Sequence, residues 1–144
     1  MSAAASTGRV ESAAVANAID AYRTRFDEDA KNFSLALLAL AKSNAKQARA
    51  FNQTSQQDKA ALRALARWRR DAQHALHHVR AVPAGALGRS LAERWLRALI
   101  AALDLQGQAL SLLDPSKAAD AANSAGRRIE EFQRLEARLD QVLA

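Results

Sequence analysis

Arg63, Arg67, Arg70, His74 and His77 follow one another at steps of four, three, four and three residues. That is the spacing of one face of an α-helix. The stripe is about 20 Å long at the helical rise per residue and lies opposite Trp68 and Ala72 on a helical wheel, so it is expected to face solvent. A row of guanidinium and imidazole groups can neutralise successive phosphates or other anions, giving salt-dependent affinity that is indifferent to base sequence. The competing reading is an ordinary solvated arginine-rich face. No aromatic side chain interleaves the stripe for base stacking, and no helix-turn-helix or zinc-finger pattern accompanies it, so the solvated face is the simpler of the two.

All three histidines fall within five residues, His74, His77 and His78. Asp71, His74 and His78 have the spacing of ligands on one helix. A di-metal bundle would need carboxylates and Glu-x-x-His pairs from several helices, and no second such motif occurs, so the cluster is expected to be a surface feature. Glu130 and Glu131 are adjacent and point about 100° apart on a helix, so they cannot act on one bond. The chain has no glycine-rich phosphate loop, Gly-x-Ser-x-Gly elbow or His-Glu-x-x-His motif. Cysteine is absent, which removes thiolate nucleophiles, thiolate metal sites and disulfides together. No catalytic residue, metal or cofactor is assigned, and the chain is expected not to be an enzyme.

The elements that would carry these residues are helices. About a quarter of the 144 residues are alanine, with only two prolines and five glycines, and the strong helix formers Leu, Arg, Gln and Glu fill most of the rest. The expectation is an all-α, up-down four-helix bundle in a single domain over residues 10–144, behind a disordered N-terminus of residues 1–9. The predicted helices span residues 10–53, 55–81, 90–113 and 115–143. Thr54 with Gln57, or Ser55 with Asp58, can cap the second helix. Pro83 ends it, Ser90 with Glu93 forms a capping box for the third, and Asp114-Pro115 opens the fourth. Gly107 and Gly126 fall inside helices at a cost of about 1 kcal/mol each, as expected for a close helix approach or a local bend. Trp68, Trp95 and the phenylalanines sit at helical spacing and read as core.

The first helix is too long for its partners. Val15, Ile19, Tyr22, Phe26, Ala30, Phe33, Leu37 and Leu40 form one apolar stripe, with no proline or glycine between Val10 and Phe51. A helix of about 40 residues is about 60 Å long. Matching lengths pairs residues 28–53 with the rest of the bundle and leaves residues 10–27 as surplus. The chain then either breaks near Asp27, Glu28 and Asp29 or runs on beyond the bundle. Running on would expose Val15, Ile19, Tyr22 and Phe26 and make them an oligomer interface, most simply of a dimer. Asn44 is the polar residue in the stripe, either hydrogen-bonded across a helical seam or facing a wet flank.

Charge is uneven. Residues 61–100 hold eight basic and two acidic side chains, and residues 101–144 hold five basic and seven acidic, within a net charge of +6. Residues 1–8 lack the apolar run of a secretory signal, and the apolar stretches 35–41 and 98–103 are too short to span a bilayer. A soluble, cytoplasmic protein is expected, with an exported mature form as the alternative.

Ala81-Val82-Pro83-Ala84, Trp95-Leu96-Arg97-Ala98-Leu99, Gln108-Ala109-Leu110, Asp114-Pro115 and the alanine-rich residues 117–125 resemble uncharacterised alanine-rich helical-bundle proteins of high-GC bacteria. The resemblance covers about residues 80–130 and is compositional. It implies a helical bundle and, for many of those proteins, export, but the chain lacks their cysteines and leader peptide. In alanine-rich amphipathic character alone the chain is similar to phasins, which coat polyester granules. Neither likeness transfers a functional residue. The functional expectation is a non-catalytic helical scaffold or protein-interaction module that self-associates through its first helix. The alternative is a binder of nucleic acid or another anionic polymer or surface through the basic stripe.

Overall fold

The computed structural model describes residues 3–42, 56–111 and 114–144. They form four α-helices, α1 (Ala3–Ala41), α2 (Gln56–Arg80), α3 (Arg89–Ser111) and α4 (Pro115–Leu143), with no strand among the described residues. The protein is an all-α four-helix bundle. α1 passes through Asp27, Glu28 and Asp29 without a break, since nothing there is a turn signal. Its described residues begin at Ala3 rather than near residue 10, so residues 3–9 of the stretch expected to be disordered continue the helix. Three consecutive alanines favour this, and Gly8 alone is too small a penalty to stop it. The expected continuation to residue 53, with Asn44, and the Thr54 and Ser55 caps lie outside the described residues.

Cross-helix pairs give the register. Arg80 pairs with Glu93 and Arg69 with Asp104, so eleven residues back along α2 correspond to eleven forward along α3. Tyr22 meets His78 and Phe33 meets Trp68, which sets α1 antiparallel to α2. Trp95 stacks on Phe132 and Gly88 lies beside Leu139 and Leu143, which sets α4 antiparallel to α3. Close backbone approach joins α1 to α2, α2 to α3 and α3 to α4, whereas α1 and α4 hardly approach each other. The bundle has three closed seams and one open one.

This register overturns one expectation. Val15 and Ile19 have no exposed surface, and Tyr22 and Phe26 are 9% and 5% exposed. All four belong to one core cluster with Leu65, Ala72, Leu76, Val79, Trp95, Leu96, Leu99, Leu135 and Leu139. They are therefore not a surplus face waiting for a second chain. The apolar stripe of α1 engages the bundle from Val15 to Phe33, with Ala36 and Leu37 packed against the same core, and length matching left residues 15–27 outside it because length carries no register. α1, at 39 residues against 29 for α4, still extends beyond the bundle. Its outward leucines lie further along, Leu35 at 56% and Leu38 at 53% exposed.

The helix ends show which signals were read correctly. Asp114 caps α4, its side chain accepting from the backbone N–H groups of Ser116 and Lys117 at 2.9 and 3.4 Å, with Pro115 in the first turn. The Ser90–Glu93 capping box does not form, because α3 starts one residue earlier, at Arg89. The Gly88 carbonyl accepts from the Ala92 N–H at 2.9 Å, and Glu93 turns instead toward Arg80 and Arg89, both at 3.5 Å. Gly107 and Gly126 have open space where a Cβ would stand, so neither marks a close helix approach.

Gly88 is held at φ +87°, and a Cβ there would stand 2.9 Å from Cδ2 of Leu143. Gly85, three residues earlier in the same loop, has neither constraint. Gly88→Ala is expected to lower stability by about 1–2 kcal/mol, whereas Gly85→Ala stays within about 0.5 kcal/mol of wild type. Urea unfolding of the two variants checks this. Equal losses would mean that the Gly88 turn is under no special constraint.

Candidate functional site

The open seam between α1 and α4 is a cleft of about 320 Å³. Its walls are Phe26 and Ala30 from α1 and Ile129 and Phe132 from α4. Its floor is Trp68 from α2 and Trp95 from α3, and its polar lining is Arg23, Asp27, Gln133 and Glu136. Each side chain arrives by ordinary helical periodicity. Phe26 and Ala30 are one turn apart on the stripe of α1, and Ile129, Phe132, Gln133 and Glu136 follow at three- and four-residue spacing on α4. Trp95 is the floor's anchor. It is 1% exposed, stacks on Phe132 with ring centroids 5.3 Å apart, and meets Phe26 at 5.9 Å in a tilted arrangement. The indole N–H groups of Trp68 and Trp95 are both buried without an acceptor, so the floor uses its tryptophans as ring surface and not as donors.

Arg23 sits at the mouth. Its guanidinium carbon lies 5.4 Å from the centre of the Trp95 ring, and its Nη2 is 2.7 Å from Oδ1 of Asp140. The contact is close in distance but off the line of a good hydrogen bond, and Arg23 Nε has no acceptor. The pair is held by charge and by the ring face. Glu136 is pushed above the ordinary carboxylate range, first by burial. Arg23 opposes the shift, and the neighbouring Asp140 and Asp27 carboxylates add to it. Neither Asp27 nor Glu136 has an ion-pair partner among the described residues.

The residues singled out from sequence are placed as follows. Arg63, Arg67, Arg70, His74 and His77 are all exposed and share the outward face of α2. Val15, Ile19, Tyr22 and Phe26 are core, as described above, with Phe26 also walling the cleft. His78 meets Tyr22 in a tilted arrangement with ring centroids 5.7 Å apart, and meets His77 edgewise at 5.9 Å. Asp71 turns to Asp29 across the α1–α2 seam and does not join His74 and His78.

Sequence reasoning missed the cleft, because its lining comes from four helices and from no local pattern. It also missed a run of arginines along the α3–α4 seam. Arg94, Arg97, Arg127, Arg128 and Arg134 line two shallow grooves there with Glu131, which pairs with Arg128 at 3.0 Å. Charge counted by segment hid this, since residues 101–144 are acidic overall while Arg127, Arg128 and Arg134 of α4 share one groove. The chain matches no protein-family model, and comparison with curated proteins and with solved structures gives no match.

Near the cleft, Asp29 is 3% exposed. Burial first, then the hydrogen bond to Asp71 and its charge, push the Asp29 carboxyl up to about 7, with Arg67 pulling it down and Glu28 adding to the rise. The native state thus keeps a proton that the unfolded chain releases near pH 4. Its contribution to stability is full below that value and is lost as pH rises toward 7. Asp29→Asn, neutral at every pH, is expected to remove this loss and to be more stable than wild type at pH 8. Urea midpoints at pH 5 and pH 8 measure it. A wild-type-to-variant difference that is the same at both values would show that Asp29 does not titrate in this window.

Proposed function

We propose that this protein is a non-catalytic helical-bundle module that acts by binding, with the α1–α4 cleft as its docking surface, and that it self-associates through α1. The observation that carries the reading is the open seam itself. A bundle that closes three seams leaves the fourth ajar over four aromatic rings, Phe26, Trp68, Trp95 and Phe132. An apolar concavity with a few polar groups at its edge is the usual form of a binding site. No helix among the described residues is long and apolar enough to cross a membrane, so these rings are not there to face lipid along a spanning helix. A second reading, binding of an anionic polymer, is favoured by the joint exposure of Arg63, Arg67, Arg70, His74 and His77 on one face of α2. The arginines of the α3–α4 grooves add to it.

Both tryptophans of the chain line the cleft, so intrinsic fluorescence reads its occupancy directly. A small apolar aromatic probe such as 4-tert-butylphenol is expected to shift tryptophan emission saturably. Ala30→Phe, which fills the cleft from the α1 side, is expected to abolish that shift while leaving helical content unchanged. Emission that responds identically in both proteins would place the probe elsewhere and defeat the reading.

Self-association draws its support from Leu35 and Leu38, three residues apart on an outward face of α1. Replacing both by serine is expected to lower the mass seen in light scattering without loss of the core, whereas Val15 and Ile19 substitutions would unfold the bundle. A wild-type protein that stays monomeric at high micromolar concentration would rule self-association out.

A further inference from the structure

The lining of the cleft is unbalanced in charge, and the imbalance identifies a ligand. Resting on the reading of this cleft as a binding surface, we propose that its ligand is a small organic cation with an apolar body. The positive charge is held by Asp27 and Glu136, and the body packs against Phe26, Trp68 and Phe132.

Three independent observations converge on this. The first is the count of fixed charges. The lining carries two carboxylates, Asp27 and Glu136, and one guanidinium, Arg23. Arg23 is already taken up by Asp140 at 2.7 Å, while Asp27 and Glu136 have no cation within ion-pair distance among the described residues. The fixed charges of the lining therefore leave the cleft short of positive charge. The second is the aromatic walls. Ring faces are the negative ends of aromatic quadrupoles and attract cations, more strongly where water is excluded. The cleft shows this at work, since Arg23 lies 5.4 Å from the centre of the Trp95 ring. The third is size. About 320 Å³ is at the small end of ligand pockets, enough for one ring and a compact charged head but not for a folded polymer.

Other ligands fit less well. An anion would approach two unpaired carboxylates. A neutral apolar molecule would cover Asp27 and Glu136 and strip their water while returning no charge, and a desolvated carboxylate without a partner is costly. A cation satisfies walls and mouth together.

The test uses two molecules of nearly the same shape that differ by one charge, phenyltrimethylammonium and tert-butylbenzene, titrated into the full chain. Tryptophan emission reports binding and calorimetry gives its strength. The cation is expected to bind about tenfold or more tighter than its neutral isostere. Asp27→Asn with Glu136→Gln is expected to erase that preference while retaining weak binding of both. Arg23→Gln removes the resident competitor and frees Asp140, so it is expected to strengthen cation binding several-fold. This last variant keeps the test decisive if the double carboxamide fails to fold, because a simple apolar pocket would not respond to it in that direction. A neutral isostere bound as tightly as the cation overturns the charge assignment and leaves the cleft as a binding surface. Failure of both molecules to bind overturns the cleft reading as well.

Discussion

The position of one indole organises the molecule. Trp95 projects from α3 into the gap between α1 and α4, where it stacks on Phe132 of α4 and meets Phe26 of α1. The first and last helices hardly approach each other by backbone, so this ring, with Arg23 lying over it and reaching Asp140, is the main bridge between them. An indole is too thick for α1 and α4 to close over it and too well packed to be displaced, since burying such a side chain contributes several kcal/mol. The fourth seam stays open because a tryptophan stands in it.

From that wedge the rest follows by register. With Trp95 between Phe26 and Phe132, the apolar stripe of α1 meets the bundle over residues 15–33, and Val15 and Ile19 are carried into full burial. Asp29 comes to face Asp71 across the α1–α2 seam, and the outward face of α2 is left to its arginines and histidines. Leu35 and Leu38 are left on the outward side of α1. One packing choice therefore decides which apolar residues are core and which remain available to another molecule.

The division between what was legible in the sequence and what was not follows the same line. Helix identity, the Asp114–Pro115 start of α4 and the exposure of the basic stripe on α2 are local properties, written in composition, capping chemistry and the 3.6-residue period. They could be read directly. Register is not local. The stripe of α1 has the same period along its length, so nothing in it distinguishes the half that meets Trp95 from the half that does not. The assignment of Val15, Ile19, Tyr22 and Phe26 to an intermolecular face failed for this reason. The cleft was invisible for the same cause, since Phe26, Trp68, Trp95 and Phe132 are brought together only when all four helices are in place. Gly88 was missed differently. Its positive φ belongs to the turn into α3, and a serine two residues later offered a better-known capping pattern than the one the chain adopts.

Why the seam does not collapse is a balance of two terms. Closing α1 onto α4 would bury more of Phe26, Ile129 and Phe132, and each square ångström of apolar surface removed from water is worth about 25 cal/mol. The same closure would take Asp27, Gln133 and Glu136 out of water on facing walls. Burying an unpaired carboxylate carries a penalty of several kcal/mol, and here two would be buried with Arg23 already committed to Asp140. Removing about 100 Å² of ring surface from water gains about 2.5 kcal/mol, which one such carboxylate is enough to cancel. The carboxylates whose burial would oppose further closure over the Trp95 wedge are thus the same groups that have no ion-pair partner inside the cleft. A bundle that needed only stability would have apolar or paired residues at Asp27 and Glu136; with carboxylates there, closing the seam favours whatever brings the missing positive charge.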